Sequence, residues 1–214
     1  MRWIEMDTWS RRTHFQRFGA YDHPHFSMCA HVDVTAYRSA VKQRGHSFNT
    51  AIVYMLSRVA NSIPEFRYRI REGKVVEHDV VHPGFTIMTA ADEFGFCYVD
   101  YSEDYAEFAR TAADRIAHYG ENLSLEDPPG ADDSLFMTAI PWVSFTSFKH
   151  PMHLDPPDSI PRFAWGRFFK DGDALKMPLD VQAHHGLMDG LHMGEFFIQA
   201  QEYLSNPNSL LGEL

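Results

Sequence analysis

The feature that most constrains the fold is the run Met177-Pro178-Leu179-Asp180-Val181-Gln182-Ala183-His184-His185-Gly186-Leu187-Met188-Asp189-Gly190-Leu191-His192. From Leu175 to Ala183 the pattern reads as a β-strand. Beyond it a helix begins near Met188 and carries Leu191, Phe196, Ala200, Tyr203 and Leu204 at helical spacing. A strand that feeds a helix through so short a turn commits the chain to a mixed α/β architecture. It also sets two histidines at a strand end, with an Asp-Gly step where the helix starts.

A histidine pair raises the question of a metal. Adjacent strand residues point to opposite faces, so His184 and His185 are poorly placed to share one ion. A helical metal motif spaces its ligands at i and i+4, which His192 does not supply. His23, His25, His31, His150 and His153 read as solvated loop histidines. The expectation is no metal, with a non-catalytic, histidine-rich metal-binding module as the competing reading.

The rest of the chain alternates strand and helix patterns without βαβ regularity. A short helix is expected from Asp33–Thr35 to about Arg44. A second runs from Phe48 to Ile63, where Ile52, Leu56, Val59 and Ile63 recur at helical spacing and Pro64 ends it. Phe66 to Ile70 and Lys74 to Glu77 read as a hairpin. Phe85–Thr89, Phe94–Val99 and Leu135–Ile140 read as strands. Ser102 is the expected cap of a helix carrying Tyr105, Phe108, Ala112 and Ile116. Phe163–Phe169 and Leu175–Ala183, joined at Asp171-Gly172-Asp173, form a second hairpin. The expected fold class is an α/β (α+β) two-layer sandwich, a mixed sheet flanked by helices, in one domain over residues 1–214.

Composition excludes several function classes. With 29 acidic against 19 basic residues the formal charge is -10, and no basic stripe offers a nucleic-acid footprint. An aromatic content of 14% argues against disorder. No apolar run is long enough to span a membrane, and the N-terminus lacks the apolar core of a signal peptide. Cys29 and Cys97 follow no metal or redox motif and read as free thiols. The expected location is the cytoplasm, with no membrane and no nucleic-acid partner.

His184-His185-x-x-x-Asp189-Gly190 is similar to the HHxxxDG signature of the CoA-dependent acyltransferase superfamily. Several other stretches resemble its type A chloramphenicol acetyltransferases. These are Trp9-Ser10-Arg11-Arg12-Thr13-His14-Phe15, Ile63-Pro64-Glu65-Phe66-Arg67, His82-Pro83, Tyr119-Gly120-Glu121-Asn122 and Pro141-Trp142-Val143-Ser144-Phe145-Thr146-Ser147-Phe148. They keep the family's order from residue 9 to residue 200. A dihydrolipoyl acyltransferase core is disfavoured, since no lipoyl or subunit-binding module precedes the matched region.

The resemblance implies the CoA-dependent acyltransferase fold and acetyl transfer from acetyl-CoA, the co-substrate, to the hydroxyl of a small-molecule acceptor. Chloramphenicol is the first choice of acceptor, with antibiotic inactivation as the outcome. It implies His185 as general base, with the tautomer held by a local backbone contact, and His184 as structural, pointing the other way. Asp189 pairs with Arg11 to hold the site's shape. Thr138, three residues before Pro141-Trp142, stands where the family keeps a hydroxyl for the tetrahedral intermediate; its β-methyl restricts the rotamer. Phe163, Arg162 and Phe18 are expected at the acceptor, and Trp142 and Arg167 at CoA, with Lys170 adding positive charge. The family's active site lies between subunits of a homotrimer.

Two departures bear on the acceptor. Lys149-His150-Pro151-Met152-His153 replaces an Asn-rich, apolar stretch. The family's P-[IV]-x-T becomes Pro161-Arg162-Phe163-Ala164, exchanging an apolar pocket residue for Arg162 and a threonine for Ala164. A same-fold acetyltransferase with another hydroxyl acceptor is therefore the alternative, unless Arg162 lines the pocket with its stem and sends its head to solvent.

Overall fold

A computed structural model describes residues 1–89, 92–130 and 132–213. In chain order the elements are β1 (Arg2–Trp3), α1 (Arg12–Gly19), β2 (His25–Asp33), α2 (Thr35–Gln43), α3 (Phe48–Ser62), a 3-10 turn (Pro64–Arg67), β3 (Tyr68–Arg71) and β4 (Lys74–Glu77). There follow β5 (His82–Met88), β6 (Phe94–Tyr98), α4 (Tyr105–Glu121), β7 (Ser134–Ile140), β8 (Arg162–Gly166), β9 (Phe169–Asp171), β10 (Ala174–His184), α5 (Gly190–Ser205) and α6 (Asn208–Leu211).

Among the described residues, seven strands form a sheet in the order β2-β10-β8-β7-β5-β6, with β9 also on β10. The pairs β5–β7 and β7–β8 are parallel and the others antiparallel, so the sheet is mixed, as expected. A second sheet, β1-β4-β3, stands apart.

Strand alternation divides the large sheet into two faces. One register row, Phe85–Met137–Phe163–Val181–Met28, is apolar and packs under α3 and α5. Phe163 is wholly buried there, with Phe196 at 5.4 Å and Phe66 at 6.0 Å between ring centroids. The adjacent row carries Thr86, Thr138, Ala164, Asp180 and Cys29 on the other face. Helices cover the first face; the second is left for a site.

Several boundaries differ from the sequence expectation for local reasons. Pro64–Arg67 coils into a 3-10 turn that buries Phe66, so the first hairpin starts at Tyr68. Asp104, not Ser102, caps α4, its side chain accepting from the Glu107 amide at 2.7 Å. The second hairpin is interrupted at Arg167-Phe168, and β8 and β9 pair separately with β10. Strand β2 pairs with β10 from Asp33–Lys176 to His25–His184, although its histidines suggest a loop. Both cysteines are free thiols. Among the described residues no helix is long and apolar enough to cross a membrane.

Candidate active site

Strand β10 ends at His184, and the next residues turn tightly. The Leu187 and Met188 amides both donate to the His184 carbonyl, at 3.0 and 3.3 Å, and the His185 amide donates to Pro24 at 2.7 Å. This turn throws the two imidazoles to opposite sides. His184 is buried, accepts at Nδ1 from the Gly186 amide at 3.1 Å, and lies edge-on to His25 at 5.4 Å. Burial, with His25 and His185 adding to it, pushes the His184 imidazole down to about 4. It is neutral near pH 7.

His185 is half-buried. Its ring stacks on Phe18 at 3.7 Å and 7° and meets Phe26 at 4.5 Å. Nδ1 faces the Met188 carbonyl at 3.2 Å. A carbonyl oxygen only accepts, so that contact places the proton on Nδ1 and leaves the lone pair on Nε2. A neutral imidazole in this tautomer is equipped to take a proton.

Asp189 caps α5, accepting from the Leu191 amide at 2.9 Å, while its own amide donates to His192 Nδ1 at 3.1 Å. Its other oxygen accepts from Arg11 at 2.7 Å. Partial burial alone would raise this carboxyl; the Arg11 hydrogen bond, the Leu191 amide and the nearby positive charge outweigh it and hold the carboxyl below its usual range. The Trp9 ring, against Tyr68 and Phe15 at 5.8 and 5.9 Å, anchors the turn that carries Arg11. Asp189 lies against Arg11 and the start of α5, and the Met188 carbonyl is the partner of His185 Nδ1.

Thr138 lies on β7. It lines a cleft of about 1890 Å³ that also takes in Thr86, Trp142, His150, Arg162 and Arg167. Its hydroxyl lies 3.0 Å from that of Thr86. His185 and Phe18 are not among the residues lining this cleft. Within one chain, the expected base and the expected oxyanion donor are thus apart. Trp142, 63% exposed, and the exposed Arg167 stand along the cleft; Lys170 on β9 does not line it.

The residues expected at the acceptor separate. Phe163 belongs to the core, because its strand position faces α5, and it does not reach the cleft. Arg162 does line it, but its head does not reach solvent: the side chain is 12% exposed, pairs with Asp158, donates to the Pro151 carbonyl at 2.8 Å, and lies over the Phe136 ring at 5.0 Å. Two histidines expected in solvated loops are not solvated: His25 is buried and His150 half-buried. His150 lies beside Arg162, and burial, then that positive charge, push its imidazole down to about 4. His25 donates to the Asp158 carbonyl at 2.6 Å. Thr86 and Asp158 are not singled out by the sequence. Alternation along His82–Met88 puts Thr86 on the cleft face, and the i, i+4 spacing of Asp158 and Arg162 is the signal for that pair. Among the described residues, no three His, Cys, Asp or Glu side chains gather where they would hold a metal ion.

Known proteins share this chain's sequence pattern and fold. The family model described as chloramphenicol acetyltransferase matches residues 1–201. A chloramphenicol acetyltransferase from Klebsiella sp is 32% identical over 201 residues, covering 94% of this chain and 92% of that protein. One from Proteus mirabilis is 33% identical over 201 residues, covering 94% and 93%. A solved chloramphenicol acetyltransferase superposes with a TM-score of 0.85 at 26% identity, covering 95% of this chain and all of that one. The cubic core of the pyruvate dehydrogenase multienzyme complex, at 18% identity and a TM-score of 0.66, shares the fold. The chain therefore belongs to the chloramphenicol acetyltransferase family of acyltransferases.

Proposed function

We propose that the protein is a cytoplasmic, homotrimeric, acetyl-CoA-dependent O-acetyltransferase with chloramphenicol as its acceptor. The observation that carries the reading is the separation of His185 from the cleft that holds Thr138. A site so divided is completed when a second copy brings its His185 turn, with Phe18 stacked on it, to the open cleft. Each subunit then gives a base and receives one, a head-to-tail contact that closes around a three-fold axis. The cleft exceeds the roughly 300–1,000 Å³ usual for one small ligand, which supports two substrates meeting in it. Free Cys29 and Cys97 fit a reducing compartment.

In this reading His185 Nε2 takes the proton of the acceptor hydroxyl as its oxygen attacks the thioester carbonyl. The oxyanion of the tetrahedral intermediate accepts a hydrogen bond from Thr138 Oγ1. Collapse breaks the carbon–sulfur bond, and the imidazolium returns its proton to the departing thiolate. The products are the acetyl ester and the CoA thiol. Proton transfer by a positioned base contributes about 10²–10⁴-fold. The Met188 carbonyl holds the required tautomer, and the Arg11–Asp189 pair holds the turn.

Release of free thiol from acetyl-CoA with chloramphenicol tests the reading; His185→Ala abolishes it while fold and oligomer persist. The Arg162–Asp158 pair beside His150 favours a second reading, in which another hydroxyl compound is the acceptor. A panel of alcohols in the same assay distinguishes the two, and normal chloramphenicol turnover removes the second.

A further inference from the structure

The row of the sheet that holds Thr138 has a hydroxyl on one side and a methyl on the other. On β8 its partner is Ala164. On β5, one residue beyond the Phe85–Met137 pair, is Thr86, whose Oγ1 lies 3.0 Å from Thr138 Oγ1. Both residues line the cleft, and the Thr86 amide and carbonyl belong to a paired strand. Two hydroxyls in contact share one proton between them and leave the other proton free. A lone threonine hydroxyl rotates, and each turn away from the reacting carbonyl is lost to catalysis. With Ala164 unable to contribute, Thr86 is the neighbour in this row that fixes the rotor.

We propose that Thr86 is a positioning residue for acetyl transfer: its hydroxyl donates to Thr138 Oγ1, so that the Thr138 proton points into the cleft toward the developing oxyanion. This rests on the oxyanion role of Thr138 proposed above. Donation to Thr138 also polarises the Thr138 O–H, since hydrogen bonds in a chain strengthen one another. The contribution appears in the transition state, where the oxyanion forms, and not in ground-state binding. Thr86 touches neither substrate in this account, and it moves no proton to or from the acceptor.

The test uses four forms of the full-length protein, assayed with acetyl-CoA and chloramphenicol: Thr86→Val, Thr86→Ser, Thr138→Ala and the double variant Thr86→Val/Thr138→Ala. Valine is isosteric and equally suited to a strand, and thermal melts confirm that each variant folds. Thr86→Val is expected to lower kcat about three- to tenfold, leave both KM values within about twofold, and leave the pH profile of kcat/KM in place. Thr86→Ser is expected to restore kcat. In the Thr138→Ala background Thr86→Val is expected to have no further effect, because the proton it orients is gone. Full kcat in Thr86→Val, or an equal loss in both backgrounds, overturns the proposal. Full kcat in Thr138→Ala overturns instead the oxyanion role on which it rests.

Discussion

Asp189 binds Arg11 at 2.7 Å through one carboxylate oxygen and, through the other, caps the helix that leaves the His185 turn. One side chain thus joins the N-terminal segment, the histidine turn and α5. Asn caps a helix as well as Asp does, so Asp189→Asn keeps the cap and removes the charge that Arg11 faces. Arg11 is 12% exposed at its side chain, and a hydrogen bond to a charged group of this kind contributes about 1.5–3 kcal/mol. Asp189→Asn is expected to lower the melting temperature and the activity together. An unchanged melting temperature with activity lost would give Asp189 a direct part in the chemistry. Its contribution to stability is present above the ordinary carboxyl value of 3.8 and is lost as pH falls through the depressed folded value.

Thr138→Ala removes the proposed oxyanion donor and leaves the strand intact. Steady-state kinetics are expected to show kcat down by about 10²–10³ with KM nearly unchanged. Thr138→Ser keeps the hydroxyl and is expected to retain most of the rate. Equal losses in both variants would point to packing of the β-methyl and not to the hydroxyl.

Buried and half-buried titrating groups predict opposite slopes of stability with pH. His184 and His150 are pushed down to about 4 from 6.5, so between pH 4 and 6.5 the unfolded chain binds protons that the folded one does not. Stability therefore falls as pH drops across that window. Asp180 runs the other way: burial pushes it up to about 6, against the pull of the Phe148 amide, so stability falls as pH rises from 3.8 to 6. Two histidines outweigh one carboxyl, and the melting temperature is expected to climb from pH 4 to 6.5. Asp180→Asn is expected to steepen that climb and to stabilise by about 1–3 kcal/mol at pH 8. A flat or inverted profile in the variant contradicts the assignment.

Much of the fold is legible in local pattern, and the failures have physical causes. Phe48–Ser62 reads as a helix because nearly every side chain from Thr50 to Ala60 is buried and Pro64 stops it. β10 reads as a strand because it is paired on both sides and buried from Met177 to His184. β2 is passed over although Phe26, Met28, Ala30 and Val32 alternate, because Ser27 and His31 between them are exposed and His25, though buried, is a polar residue. α1 buries none of its residues, so no apolar stripe announces it, although it carries Phe18, which stacks on His185. At the site, Asp189 and Arg11 follow from motif, and Thr138 from its place before Pro141-Trp142. Phe163 does not behave as expected, since a one-residue change of register decides between core and cleft. The Thr86–Thr138 contact is invisible in sequence because it joins parallel strands 52 residues apart.

The measurement closest to the central claim is subunit complementation. His185→Ala and Thr138→Ala are each expected to be nearly inactive alone, since every site lacks either its base or its oxyanion donor. When the two are unfolded, mixed equally and refolded together, some sites draw His185 from one variant and Thr138 from the other. Random assembly is expected to recover about a quarter of wild-type activity, because each site is completed from two chains. Recovery no greater than that of the separate variants, under conditions where refolded wild type regains its rate, contradicts a site shared between subunits.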